Sequence, residues 1–243
     1  MPAPQNDPIE FLTGRLSGSA YPKGVAPLGG SGKFTPEGTV QPFRGNTFVC
    51  PIVQPSAGYD QLLWTQEQIK RSKFAPFFSF LPGPSFHMTV FEGVSPGQAG
   101  TAEWPAGVPA NAAVGDLDTL LAERVGHLAF PPFAIRATGL FCGFSITVAG
   151  RTAADAGNLR AARQSLRQAT GISPPEFETY RFHVTLAYLL AWMTDDTARE
   201  LVALSDHVFE AAFGADNAIS LGPCSFCRFD TMHHFEPLLE VSE

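Results

Sequence analysis

The sequence is short of positive charge. Its 243 residues hold 16 Lys plus Arg against 23 Asp plus Glu, a net charge of −7, and charged residues of both signs make up only 16%. A protein that grips a long nucleic acid neutralises many phosphates and shows a basic face. None is evident here, so a long polymer is not the expected partner, and a small nucleotide or a nucleic-acid end is. Unbroken apolar runs of membrane-spanning length are also missing, so no membrane span and no membrane partner are expected. The opening Met1-Pro2-Ala3-Pro4-Gln5-Asn6 lacks the basic-then-apolar order of a secretory signal, so a cytoplasmic location is expected. Cysteine is scarce: Cys50, Cys142, Cys224 and Cys227 read as free thiols. Cys224-Ser-Phe-Cys227 is a lone C-x-x-C with no second pair, so no zinc site is expected.

What the chain has in quantity is apolar bulk, 44% of residues with 21 Phe, enough for a substantial core in one large domain or two small lobes. Residues 1–45 are rich in Gly and Pro and show no period; they read as an arm draped on a body spanning 46–243. Gly29-Gly-Ser-Gly-Lys33-Phe34 invites a phosphate-loop reading. That reading fails, because Pro27 stands where the first Gly belongs, Phe34 replaces Ser or Thr, and no strand precedes it.

The body alternates strand and helix signals. Residues 46–53 read as a first core strand and 59–73 as a helix. Residues 77–81 read as a strand stopped by Pro82-Gly-Pro84. Leu117, Leu120, Leu121, Val125 and Leu128 recur at helical spacing. Residues 133–137 and 144–148 alternate as strands, and a helix over 155–170 ends at Gly171. Thr194 caps a last helix that buries Leu201, Leu204, Val208 and Phe209. The rest, 219–241, reads as strands with a hairpin turn at Asp230-Thr231.

Two stretches share one pattern: Phe86-His87-Met88-Thr89-Val90 and Phe182-His183-Val184-Thr185-Leu186. His-x-Thr alone is a weak signal. Requiring apolar residues before, between and after drops the number of chance copies well below one, and there are two. In a strand, side chains alternate faces, so each His points the same way as the Thr two residues on, while Met88 and Val184 point into a core. Two such strands side by side gather two imidazoles and two hydroxyls around one small space, a plausible acid–base site for a phosphate ester. On a regular strand Arg181 shares the face of His183 and Thr185 and could steady a phosphate; the alternative is an ordinary exposed Arg. Tyr180 and Tyr188 fall on the far face. His233 and His234 would face opposite sides of a strand, so they do not suit one metal ion. His127 and His207 read as surface residues.

The paired His-apolar-Thr-apolar strands resemble the 2H phosphoesterase superfamily. With Tyr180-Arg181 before the second copy and the Gly/Pro-rich arm, the chain looks like a bacterial branch known as a domain of unknown function. The resemblance implies an α+β fold: two pseudo-symmetric lobes with antiparallel sheets around a central cleft, helices on the outside. It implies His87 and His183 as the catalytic pair and Thr89 and Thr185 as phosphate-binding hydroxyls, with Arg181 added from the strand argument. The activity it implies is that of a hydrolase, a metal-independent phosphodiesterase on a 2′,3′-cyclic or 2′-linked nucleotide or RNA-end phosphate. No cofactor is assigned and a monomer is expected. The alternatives are a non-catalytic nucleotide-binding module and a metal-dependent hydrolase built on the C-terminal histidines.

Overall fold

The computed structural model describes residues 7–243; Met1 to Asn6, on which part of the expected arm and the reading of the N-terminus rest, lie outside the described residues. The arm is not without structure. Asp7 accepts hydrogen bonds from the Ile9 and Glu10 amides, Pro8 takes the first helical position, and α1 (Pro8–Leu12) forms. Its Leu12 is fully buried, a helix the lack of period in the sequence had hidden.

Chain order then follows the expected alternation. The strand β1 (Gly45–Pro51) is buried through all but its last residue, and Ser56 caps α2 (Ala57–Lys70). The short β2 (Phe78–Phe80) leads through a 3-10 turn, Gly83–Ser85, into β3 (His87–Glu92). Next come α3 (Val114–Val125), β4 (Ala134–Phe141) and β5 (Ser145–Gly150). The tight turn between the last two places Cys142 and Gly143 at φ 52° and 75°, the left-handed region that glycine enters freely and Cys142 does not. A reciprocal capping box between Thr152 and Asp155 starts α4 (Ala153–Thr170), and left-handed Gly171 stops it. Then follow β6 (His183–Thr185), β7 (Ala187–Leu189), α5 (Asp195–Phe213) capped by Thr194, β8 (Ala218–Ser220), β9 (Ser225–Thr231) and β10 (His234–Glu240). The last hairpin turns at Met232-His233, two residues beyond the expected Asp230-Thr231, because β9 stays paired through Thr231.

Eight strands form one antiparallel sheet in the order β10-β9-β1-β3-β6-β5-β4-β8, and β2 pairs with β7 in a second, smaller sheet. The fold is α+β, and the large sheet divides into two four-stranded halves. They join at β3 and β6, the two strands that carry the His-x-Thr copies. The joint is short, with Met88 paired to Val184. Helices α3 and α4 pack near β3, β5 and β10, while α5 lies on β4 and α2 on β8. Met88, Val90, Val184 and Leu186 are fully buried, so the back of the joint is core. Burying side chains of this size is worth about 1.5–3 kcal/mol each, which anchors the strands whose fronts carry the polar groups.

Candidate functional site

The register Met88↔Val184, run antiparallel, sets His87 beside Thr185 and Thr89 beside His183 on the front of the sheet. The two histidines lie on the diagonal of this square, where residues on neighbouring strands are about 7–8 Å apart. All four side chains are half-buried, neither sealed in the core nor free in solvent. The strip continues on both sides with different chemistry. Beyond β6, Ser145 and Thr147 of β5 pair with Thr185 and His183. Beyond β3, Val49 and Pro51 of β1 pair with Thr89 and His87. One flank is hydroxylic and the other apolar.

Both imidazoles are held in the same way. His87 Nδ1 donates to the Ser85 carbonyl at 2.7 Å and His183 Nδ1 to the Arg181 carbonyl at 2.9 Å, each two residues upstream. A carbonyl only accepts, so the proton sits on Nδ1 and Nε2 is left for a substrate. The carbonyls are themselves fixed. Ser85 is buried in the 3-10 turn with Gly83, where an added Cβ would fall 2.5 Å from the Tyr59 hydroxyl and have to displace it. Upstream of His183, Tyr180 donates to the Thr89 carbonyl at 3.3 Å, and the Arg163 guanidinium stacks on the Tyr180 ring at 3.8 Å. Arg163, only 4% exposed, also donates to the Val90 carbonyl at 2.7 Å. One helix side chain thus ties the segment before β6 to β3, and so one copy of the pattern to the other. Burial pushes the Tyr180 phenol well above its ordinary pKa and keeps it a donor.

The two histidines differ in surroundings. The His87 ring packs 4.2 Å from the Phe235 ring. Burial lowers its pKa from 6.5 to about 4; the Ser85 carbonyl opposes this, and the positive charges of His183 and Lys33 add to it. Lys33 reaches this face from the arm and donates to the Tyr188 hydroxyl at 3.3 Å. Its ammonium lies 5.3 Å from the Phe43 ring centre and 5.1 Å from that of Tyr188. On the His183 side a groove of about 720 Å³ opens, lined in part by Thr138, Thr147, Arg160, Gln164 and Arg181.

The structure brings His87, Thr89, His183 and Thr185 together. Arg181 is not on the strand with them, because β6 begins at His183; it is exposed, lends its carbonyl to His183 and lines the groove. Tyr188 escapes strict alternation, since the chain breaks its strand at Leu186 before pairing with β2. His233 sits in a turn with its ring 5.9 Å from that of Phe34. Among the described residues no group of three or more His, Cys, Asp or Glu could hold a metal ion. No described helix is long and apolar enough to cross a membrane.

Residues 33–142, which contain Lys33 and the first His-x-Thr copy but not the second, match the family model described as "2H-phosphodiest: Domain of unknown function (DUF1868)". A conserved protein of unknown function from Agrobacterium tumefaciens superposes with TM-score 0.88 at 26% identity, over 98% of this chain and 100% of its own. E. coli LigT, in a structure complexed with ATP, gives TM-score 0.46 at 12% identity over 84% of this chain and 100% of its own. A structure described as a phosphoesterase gives 0.43 at 13%, over 83% and 100%. No curated protein matches the sequence. The resemblance carried by the two His-x-Thr copies therefore stands: the chain resembles the 2H phosphoesterases, and over residues 33–142 it matches the branch described as a domain of unknown function.

Proposed function

We propose that the protein is a metal-independent phosphodiesterase that opens a 2′,3′-cyclic or 2′-linked phosphate of a nucleotide or RNA end. The observation that carries this reading is the matched pair of imidazoles. Each has Nδ1 tied to a backbone carbonyl, which leaves Nε2 for a substrate, and both histidines share one strip with two threonines. Opening a cyclic phosphodiester requires one group to take a proton from water and another to give one to the departing oxygen. His87, held unprotonated by burial and by positive neighbours, takes the base role. His183, on the hydroxylic and more open flank, is the acid. An anionic phosphate lying beside His87 favours its protonated form and brings the buried base nearer to working strength. Thr89 and Thr185 donate to the non-bridging oxygens as charge grows on them. Arg181 meets the substrate where it leaves the strip toward the groove. The family model's label supports the same class of chemistry.

The test is a mass-read screen of 2′,3′-cyclic nucleotides and 2′–5′ dinucleotides with the wild type, His87→Ala and His183→Ala, each with and without chelator. Turnover by the wild type alone, unaffected by chelator, is expected. Turnover that survives either substitution, or that the chelator abolishes, sinks the mechanism. Tight binding with no turnover leaves a nucleotide-binding module.

A further inference from the structure

Lys33 is an unusual cation for this protein. It is half-buried in a chain of net charge −7, yet none of the ion pairs among the described residues involves it. Its neighbours are a neutral phenol and two aromatic faces, so one of three ammonium protons is used on Tyr188 and two remain. A partly desolvated ammonium without a counter-ion is costly unless something else supplies the negative charge.

The arm holds it firmly in place. The Lys33 amide donates to the Gly24 carbonyl at 2.6 Å, and its carbonyl accepts from the Gln41 amide at 2.8 Å. Gln41, 2% exposed, spans the loop by accepting from the Gly29 amide and donating to the Ala26 carbonyl. The Lys33 stem lies along left-handed Gly24, where a Cβ would stand 3.4 Å from Cδ. Next in sequence, Phe34 is fully buried with its ring 4.9 Å from that of Tyr188. The glycines of Gly29-Gly-Ser-Gly-Lys33 thus serve a tight return of the chain, and the lysine is what that return presents. The scissile phosphate already has four partners in the two imidazoles and two hydroxyls, whereas Lys33 lies off that square, on the aromatic His87 flank.

We propose that Lys33 binds a second anionic group of the substrate, so that the preferred substrates are nucleotides carrying a further phosphate, such as a 5′-phosphate, besides the phosphate being opened. This rests on the phosphodiesterase reading. The phenyl and phenol faces beside Lys33 suit the apolar body of such a ligand. The charge of Lys33 also reaches His87 and helps keep it unprotonated.

The experiment compares adenosine 2′,3′-cyclic phosphate with its 5′-phosphorylated form, using wild type, Lys33→Met and Lys33→Arg. Wild type should favour the 5′-phosphorylated compound by about 10–100-fold in kcat/KM, mostly through KM, the value of one charge-assisted hydrogen bond. Lys33→Met should bring that ratio to about one, and Lys33→Arg should restore most of it. The acid limb of kcat/KM should also move to higher pH in Lys33→Met, because a positive neighbour of His87 is gone. A wild type without preference, or a preference that survives Lys33→Met, overturns the proposal while the phosphodiesterase reading stands. If the wild type turns over neither compound, and none in the screen of cyclic nucleotides and 2′–5′ dinucleotides, the phosphodiesterase reading fails on its own. Calorimetry with adenosine 2′-monophosphate and adenosine 2′,5′-bisphosphate then decides: a Lys33-dependent preference for the bisphosphate supports the second-anion site, and equal affinities overturn it.

Discussion

Met88 and Val184 face each other across the central strand pair, and this register gives each histidine the other copy's threonine as its neighbour. Slipping one strand by one residue would send its His and Thr into the core and bring its buried apolar residues to the front. The full burial of Met88 and Val184 makes that slip too costly.

The first prediction concerns the pair itself. His87→Ala and His183→Ala should each lower kcat/KM by about 10²–10⁴-fold, the range of positioned proton transfer. Because both act in one step, the double variant should lose less than the product of the two losses, read by steady-state kinetics. Strictly multiplicative losses would mean that the two do not act together.

A second prediction concerns the hydroxyls. Thr89→Ala and Thr185→Ala should cost about 10–10³-fold in rate through lost stabilisation of the phosphate oxygens. Thr→Ser at either position, which keeps the donor, should recover most of that rate, and a failure to do so would assign the threonines to packing.

Acid stability gives a third test. The folded-state pKa of His87 lies at about 4, below its ordinary 6.5, so between these values the unfolded chain binds the extra proton. The contribution of neutral His87 to stability is whole above about 6.5 and is lost progressively as pH falls toward about 4. Urea unfolding of wild type and His87→Gln at pH 7 and pH 4.5 reads this: the substitution should flatten the acid slope. An unchanged slope would show that His87 titrates normally.

The fourth prediction separates placing from reacting. Arg163 touches neither imidazole but holds Tyr180 and the Val90 carbonyl. Arg163→Met should lower stability by about 1–3 kcal/mol, leaving a buried carbonyl unpaired. It should also lower kcat by about 10–10²-fold by loosening the segment before His183. Since Lys cannot reproduce the planar stack, Arg163→Lys should not restore kcat.

The strip of His87, Thr89, His183 and Thr185 was legible in the sequence because strand alternation is strict over three residues and the apolar partners mark the buried face. The main helices were legible from their caps and spacing. What the sequence hid was long-range or broke the period. Lys33 and Phe235 reach His87 from opposite ends of the chain, and no spacing links them to it. Tyr188 depends on the break at Leu186, and Arg181 on β6 starting two residues later than alternation assumed. Arg163 did leave a trace: it lies on the apolar stripe of Leu159, Ala162 and Leu166, where a charge must find a buried acceptor.

A centre made of two copies of one pattern, set head to tail, has no direction of its own. A cyclic phosphate could enter it either way round, and either ester oxygen could then depart. The surroundings are what differ: Phe235, Tyr188 and the arm's ammonium beside one imidazole, a groove lined in part by Thr147, Arg160 and Arg181 beside the other. On the proposed phosphodiesterase reading, whether the product keeps its phosphate on the 2′ or the 3′ oxygen would therefore be decided at the periphery of the fold, by an arm and a groove outside the four-residue centre.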